Sequence, residues 1–208
     1  MNNYNFILAS SSPRRKEILE KIGINFDIIT SDINEQLEID SNLLPINWVK
    51  AVSEKKAQVV FNKIKNNINK KTIIISADTI VVYMDKILHK PKNKSEAREM
   101  MKILSGNKHN VYTSVSLFFI DDINDLSKVK IETFVNSTSV FMNNITDEEI
   151  ECYINTNEPY DKAGGYGIQG KASLFINRIE GDYYNVVGFP ISNFYKYLKN
   201  NCINILNI

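Results

Sequence analysis

The chain has little of what special-purpose scaffolds are built from. Its 208 residues include only two cysteines, Cys152 and Cys202, and two histidines, His89 and His109. Two distant cysteines make neither a disulfide framework nor a zinc-ligand pair, and they fit a reducing compartment. Two histidines exclude a multi-histidine metal centre. Neither sits in a nucleophile motif, so a serine nucleophile with a histidine base has no obvious seat. Charge of one sign is also lacking: 25 Lys and Arg face 24 Asp and Glu, for a formal net charge of +1. A dedicated nucleic-acid binder would carry a basic excess. No apolar run approaches the ~20 residues of a membrane-spanning helix. Residues 1–9 lack the basic start and apolar core of a signal peptide. The expected setting is cytoplasmic, with no membrane partner. What remains is ordinary globular composition, 43% hydrophobic and 24% charged, in a length that suits one large domain or two lobes sharing a sheet.

The most informative stretch is the opening, Phe6-Ile7-Leu8-Ala9-Ser10-Ser11-Ser12-Pro13-Arg14-Arg15. An apolar run ends in three hydroxyls, then proline, then two arginines, then a helical pattern at Ile18, Leu19 and Ile22. Ser12 reads as the N-cap and Pro13 as the first helical residue, where a missing N–H costs least. The segment is therefore strand, tight turn, helix start. Free N–H groups at a helix start attract anions, whereas guanidiniums there oppose the helix dipole. Arg14 and Arg15 make sense around an anion with several oxygens, such as a polyphosphate. A capped helix with two solvated arginines is the competing account.

Apolar spacing lays out the rest. It predicts strands over 4–9 and 26–30, a helix over 13–22 closed by Gly23, an acidic loop over 31–46, and a helix over 48–64. Thr72 to Ser76 reads as a buried central strand running into Ala77-Asp78-Thr79-Ile80-Val81-Val82. Asn93 with Glu96, and Thr146 with Glu149, form capping boxes for helices ending at Leu104 and Ile154. Segments 111–120 and 129–142 are β-type and pair as a hairpin. A glycine-rich loop spans 158–171, Leu174–Ile179 and Tyr183–Val187 flank a turn at Gly181-Asp182, and a last helix runs over 189–198. Strands and helices mix without strict alternation, so the sheet is expected to be mixed.

Asp78 is the sharpest single residue. A carboxylate between two apolar runs is expensive to bury unless paired, protonated or metal-bound; the bland alternative is an aspartate bonding a turn or sheet edge. Pro91 holds Lys90 extended, which suits a phosphate-binding lysine or a solvated strand end. In the glycine-rich loop, Gly165, Gly167 and Gly170 match a dinucleotide fingerprint, and Gly165 to Lys171 matches a P-loop with Ala172 where Ser or Thr is needed. Both motifs need a strand before and a helix after. Polar residues precede the loop, and Ser173-Leu174-Phe175-Ile176 looks like a strand, so both are rejected. The better reading is a loop that lets a ligand approach the backbone, with Asp161, Lys162 and Gln169 as polar contacts and Gln169 able to read a base edge. Glu35 and Lys56 are individually weak, and each taken alone reads better as a solvated surface residue. Water activated by a carboxylate and a divalent metal is the most plausible chemistry.

Together these residues resemble the Maf family of nucleotide pyrophosphatases nearly end to end. The resemblance rests on Leu8 through Arg15, Ser76 through Val81, Lys90-Pro91, Ser105-Gly106 with His109, Val111 and Thr113, Glu158 through Gly170, and Gly181 through Gly188. It implies an elongated α/β fold on a mixed sheet, two lobes around a central cleft, related to the inosine triphosphate pyrophosphatases, with residues 1–208 as a single Maf-like domain. It implies hydrolysis of a nucleoside triphosphate to the monophosphate and pyrophosphate with Mg²⁺ or Mn²⁺. Carried over by position, Ser10, Arg14 and Arg15 match phosphate-loop residues and Asp78 the catalytic carboxylate, with Glu35 and Asp78 as the metal pair. Lys56 and Lys90 match supporting basic positions, though Lys55 competes with Lys56. Thr79 and Gln169 match the branch acting on dTTP, UTP and modified uridine triphosphates; the 7-methyl-GTP branch has a glutamine after its aspartate and a glutamate at the later position. A homodimer is suggested by the resemblance alone. The rival accounts are a nucleotide-binding regulator of cell division without catalysis, and a nucleic-acid module using Arg14, Arg15 and residues 63–71.

Overall fold

A computed structural model describes residues 4–34 and 38–206. The main elements are β1 (Asn5–Leu8), α1 (Pro13–Lys21), β2 (Phe26–Ile28), α2 (Pro45–Ile64), β3 (Thr72–Tyr83), β4 (Lys86–Leu88), α3 (Lys94–Leu104), β5 (Lys108–Ile120), β6 (Lys130–Met142), α4 (Asp147–Ile154), β7 (Ile176–Glu180), α5 (Tyr183–Val187) and α6 (Ile191–Asn200). The strands form one sheet in the order β2-β1-β3-β5-β6-β7, with β4 paired to β3. β1 is parallel to β2 and to β3, while β3–β4 and β6–β7 are antiparallel, so the sheet is mixed as expected.

The chain divides into two compact units. The first comprises Met1–Asp78, Ser114–Val135 and Gly188–Ile208; the second comprises Thr79–Thr113 and Asn136–Val187. In the first, Ile7 of β1, Ala9 just after it and Ile74 of β3 pack with Ala57 and Val60 of α2 and with Phe118 and Ile120 of β5. Those α2 positions recur at helical spacing, which is why that face turns to the sheet. In the second, Val81, Val111, Val140 and Met142 pack under Ala97, Met101 and Leu104 of α3 and Ile150, Tyr153 and Ile154 of α4.

Several boundaries differ from the sequence reading. α2 starts at Pro45 rather than at residue 48, because proline suits a first helical turn. The strand that begins at Thr72 continues unbroken to Tyr83, twelve residues with Asp78 in their middle. Lys171–Phe175 is a short 3-10 segment and the strand begins only at Ile176. A P-loop still fails there, because that segment is too short for the required helix. Tyr183–Val187 is helical: the Asp182 carboxylate accepts the Tyr184 N–H at 2.8 Å and caps a turn that β-branched Val186 and Val187 had disguised. Both capping helices form, with Thr146 and Glu149 reciprocal; at α3, Glu96 instead reaches the Lys92 N–H at 2.9 Å.

Candidate functional site

Topology alone points to one edge of the first unit. From β1 the chain goes outward to β2, then returns through α2 to β3 on β1's other side. Parallel neighbours whose connections diverge make a topological switch point, and ligands bind at the carboxyl ends of such strands. The register places Leu8 beside Ile75, and the Ala9 N–H donates to the Ile75 carbonyl at 2.7 Å. The loop that begins at Ser10 therefore leaves the sheet next to Ser76–Asp78.

Ser12 is indeed the N-cap residue and Pro13 the first helical one, but the Ser12 hydroxyl makes no cap bond. The Ser10 hydroxyl oxygen takes the Ser12 N–H instead, at 3.2 Å, and also accepts from Arg15 Nη1 at 3.0 Å. Arg15 is only 8% exposed, and its Nε donates to the Gly188 carbonyl at 3.0 Å. It is a buried brace, not a solvated side chain. Arg14, on the same turn, is half-exposed. The two arginines thus differ: Arg15 is buried and braces the loop, and Arg14 is the more exposed of the two.

Asp78 is 7% exposed, and one of its oxygens receives Lys56 Nζ at 2.8 Å. Both side chains are largely withdrawn from water, 13% exposed for Lys56 and 9% for Asp78. Lys55 points elsewhere and pairs with Glu38 at 3.5 Å on the surface. Of the two lysines, Lys56 is the one beside Asp78. A buried hydroxyl cluster, which the sequence reading missed, fastens α2 one turn before Lys56. Ser53 Oγ lies 2.7 Å from Ser114 Oγ and 2.8 Å from Ser116 Oγ, and Ser76 Oγ donates to the Ser53 carbonyl at 2.6 Å. The signal was available: serines at otherwise apolar core positions need mutual partners.

Glu35 lies outside the described residues. Among those described, no group of three His, Cys, Asp or Glu gathers as a metal site.

In the second unit, Thr79 is half-exposed on β3, Lys90 is exposed just after β4, and Gln169 is exposed in the glycine-rich loop. The Gly164 N–H donates to the His89 carbonyl at 3.1 Å, which ties the Lys90 segment to that loop. Gly164 holds a φ of +67°, and a Cβ there would lie 2.9 Å from Val81 Cβ, so only glycine fits. Asp161 and Lys162, expected as ligand contacts, serve the loop itself. Lys162 Nζ donates to the Glu158 carbonyl at 2.7 Å and to Asp161 at 2.5 Å, while both Glu158 carboxylate oxygens accept the Lys171 N–H. Gln169 is an exposed polar residue of the same loop.

His109 is 2% exposed, lies 2.6 Å from the Tyr166 hydroxyl through Nε2, and is pushed down by burial to a pKa of about 4. Burial pushes the Tyr166 hydroxyl upward. The pair is a core contact in which the imidazole is neutral.

The fold and this arrangement define a mixed α/β protein with a braced, arginine-bearing helix start beside a lysine-paired buried aspartate. The chain belongs to the Maf-like protein family, whose match covers residues 5–201. It is 45% identical over 196 residues to the dTTP/UTP pyrophosphatase of Lachnoclostridium phytofermentans, covering 94% of each chain. It is 46% identical over 193 residues to the protein of that name from Bacillus anthracis, covering 93% of each. The corresponding Bacillus cytotoxicus protein is 45% identical over 194 residues, covering 93% of this chain and 94% of its own. The Staphylococcus aureus Ham1 protein aligns at a TM-score of 0.41 and 11% identity, covering 95% of this chain and 99% of that one.

Proposed function

We propose that this chain hydrolyses dTTP and UTP to the monophosphate and pyrophosphate. The observation that carries the reading is the switch point between β1 and β3. There the Ser10–Arg15 helix start opens next to Asp78 and its partner Lys56. The substrate name comes from relatives about 45% identical over most of the chain.

A triphosphate carries about four negative charges, and N–H groups at a helix start with guanidinium and ammonium groups oppose them. Arg14 receives phosphate oxygens, Arg15 and Ser10 hold the loop in shape for it, and Lys56 and Lys90 add positive charge. The Asp78 carboxylate takes the proton from the water that attacks the α-phosphorus. Lys56 orients that carboxylate and offsets its charge. Pyrophosphate leaves against the basic groups. Thr79 and Gln169 contact the base.

The donor set suits a hard divalent cation. Asp78 offers oxygen alone, and the described residues gather no thiolate or imidazole set. Mg²⁺ takes one or two carboxylates and fills its remaining positions with water and substrate phosphates, and Mn²⁺ shares that preference for oxygen. Asp78 and Glu35 would hold it. Bound there, it would offset phosphate charge and acidify water.

The partner in this reading is a free nucleoside triphosphate, not nucleic acid, and the compartment is the cytoplasm. Among the described residues no helix is long and apolar enough to cross a membrane. A homodimer is expected by family resemblance. The test is a panel of nucleoside triphosphates with Mg²⁺ or Mn²⁺, assayed for released pyrophosphate. Release from dTTP and UTP supports the proposal; tight nucleotide binding without release favours the non-catalytic regulator.

A further inference from the structure

Ser76 and Asp78 are two residues apart on β3, so their side chains leave the same face of the strand, about 7 Å apart. Ser53 and Lys56 are three apart on α2 and share a helix face, separated by about 4.5 Å along the axis. The two pairs meet. Lys56 Nζ reaches Asp78 at 2.8 Å, and the Ser76 hydroxyl donates to the Ser53 carbonyl at 2.6 Å. Helix and strand are thus joined at two polar points.

The Ser53 end is held from behind. Ser53 Oγ donates to the Lys50 carbonyl at 2.9 Å, which uses its single proton. Its contacts with Ser114 Oγ at 2.7 Å and Ser116 Oγ at 2.8 Å are then bonds that it accepts, one on each lone pair. Ser116, having given its proton to Ser53, accepts from Thr133 at 3.0 Å. Ser53, Ser76, Ser114 and Ser116 are fully buried, so no water competes for these bonds. The network ties α2 to β5 through the Ser53 hydroxyl and to β3 through the Ser53 carbonyl. The apolar contacts of Ala57 and Val60 with Ile7 and Ile74 are non-directional and tolerate a small slide of the helix; hydrogen bonds of fixed length do not. A helical carbonyl already accepts from the N–H four residues on. Ser76 is therefore not needed to satisfy the Ser53 carbonyl, and alanine at position 76 would strand no polar group. What the Ser76 hydroxyl adds is register.

We propose that Ser76 is a positioning residue for the Asp78–Lys56 pair: its bond to the Ser53 carbonyl sets the register of α2 on β3 that delivers the Lys56 ammonium to the Asp78 carboxylate. This deepens the proposed pyrophosphatase function and rests on it, while the register itself has a test that needs no turnover.

That test is a double-mutant cycle of Ser76→Ala and Lys56→Met, read in two ways. In melting temperature the two losses should combine short of their sum by about 2 °C or more, because both changes weaken one contact. In UTP turnover Ser76→Ala should lower kcat by about ten-fold with KM within about two-fold, and by less than about two-fold once Lys56 is methionine. Thr133→Val, at the end of the network away from α2, should keep kcat within about two-fold. Additive melting-temperature losses, an undiminished kcat loss in the Lys56→Met background, or an equal kcat loss in Thr133→Val overturns the inference. If Ser76→Ala does not fold, Ser76→Cys, close in shape with a weak donor, takes its place under the same criteria. A wild-type chain that releases no pyrophosphate from dTTP or UTP instead refutes the proposed function, and the melting-temperature cycle then decides the register by itself.

Discussion

Replacing Lys56 with methionine separates the buried pair from the surface ones. Lys56 Nζ lies 2.8 Å from Asp78, with side-chain exposures of 13% and 9%. Removing the ammonium takes the charged partner from a carboxylate withdrawn from water, which costs about 3–5 kcal/mol in comparable pairs. In a chain of this length 1 kcal/mol corresponds to roughly 2–4 °C, so the melting temperature should fall by about 6–20 °C. Lys55→Met is the control. Lys55 is 43% exposed and sits 3.5 Å from Glu38, also exposed, so water screens it and the loss is at most about 0.5 kcal/mol. The double variant Lys56→Met/Asp78→Asn should lose less than the two singles combined, because each change removes the other's partner. Calorimetry measures the stabilities, and pyrophosphate release from UTP measures the activities. Lys56→Met should lower kcat/KM by about 10²-fold or more, as expected for a charged group lost beside a reacting phosphate. A Lys55→Met variant as damaged as Lys56→Met in either assay would refute the assignment.

The two arginines should part company in the same way. Arg15→Ala removes donors to Gly188 and Ser10 and should cost about 2–4 kcal/mol in a denaturant titration, whereas Arg14→Ala, on the more exposed side chain, should cost less stability but depress kcat at saturating UTP. A purely raised KM in Arg14→Ala would mean that Arg14 helps binding alone. His109 should make the fold acid-sensitive. Its folded pKa of about 4 lies below the unfolded 6.5, so its contribution is complete above pH 6.5 and is lost as pH falls from there toward 4. The loss reaches about 2 kcal/mol at pH 5, and His109→Gln should flatten the stability profile between pH 7.5 and 5.

Much of the frame was legible in the sequence, because local chemistry determines it. Ser12-Pro13 marks a helix start, the β-branched run from Thr72 marks a central strand, and Thr146 with Glu149 marks a cap. An aspartate inside an apolar run announced itself by its desolvation cost. What escaped depends on distant partners. Nothing near Arg15 reveals that its guanidinium bonds the carbonyl of Gly188. Adjacent Lys55 and Lys56 are equivalent until α2 is docked on the sheet with its own rotation. Val186 and Val187 favour a strand locally, and the capping carboxylate of Asp182 together with burial of Asn185 overrides them.

The most direct test of the central claim is pyrophosphate release from dTTP and UTP by wild type and Asp78→Asn at saturating metal. Asparagine keeps the shape and the acceptor facing Lys56 while losing the capacity to take a proton. The account predicts steady release by wild type and a fall in kcat of about 10²- to 10⁴-fold in Asp78→Asn, with circular dichroism unchanged. Near-normal release by the folded variant would contradict it.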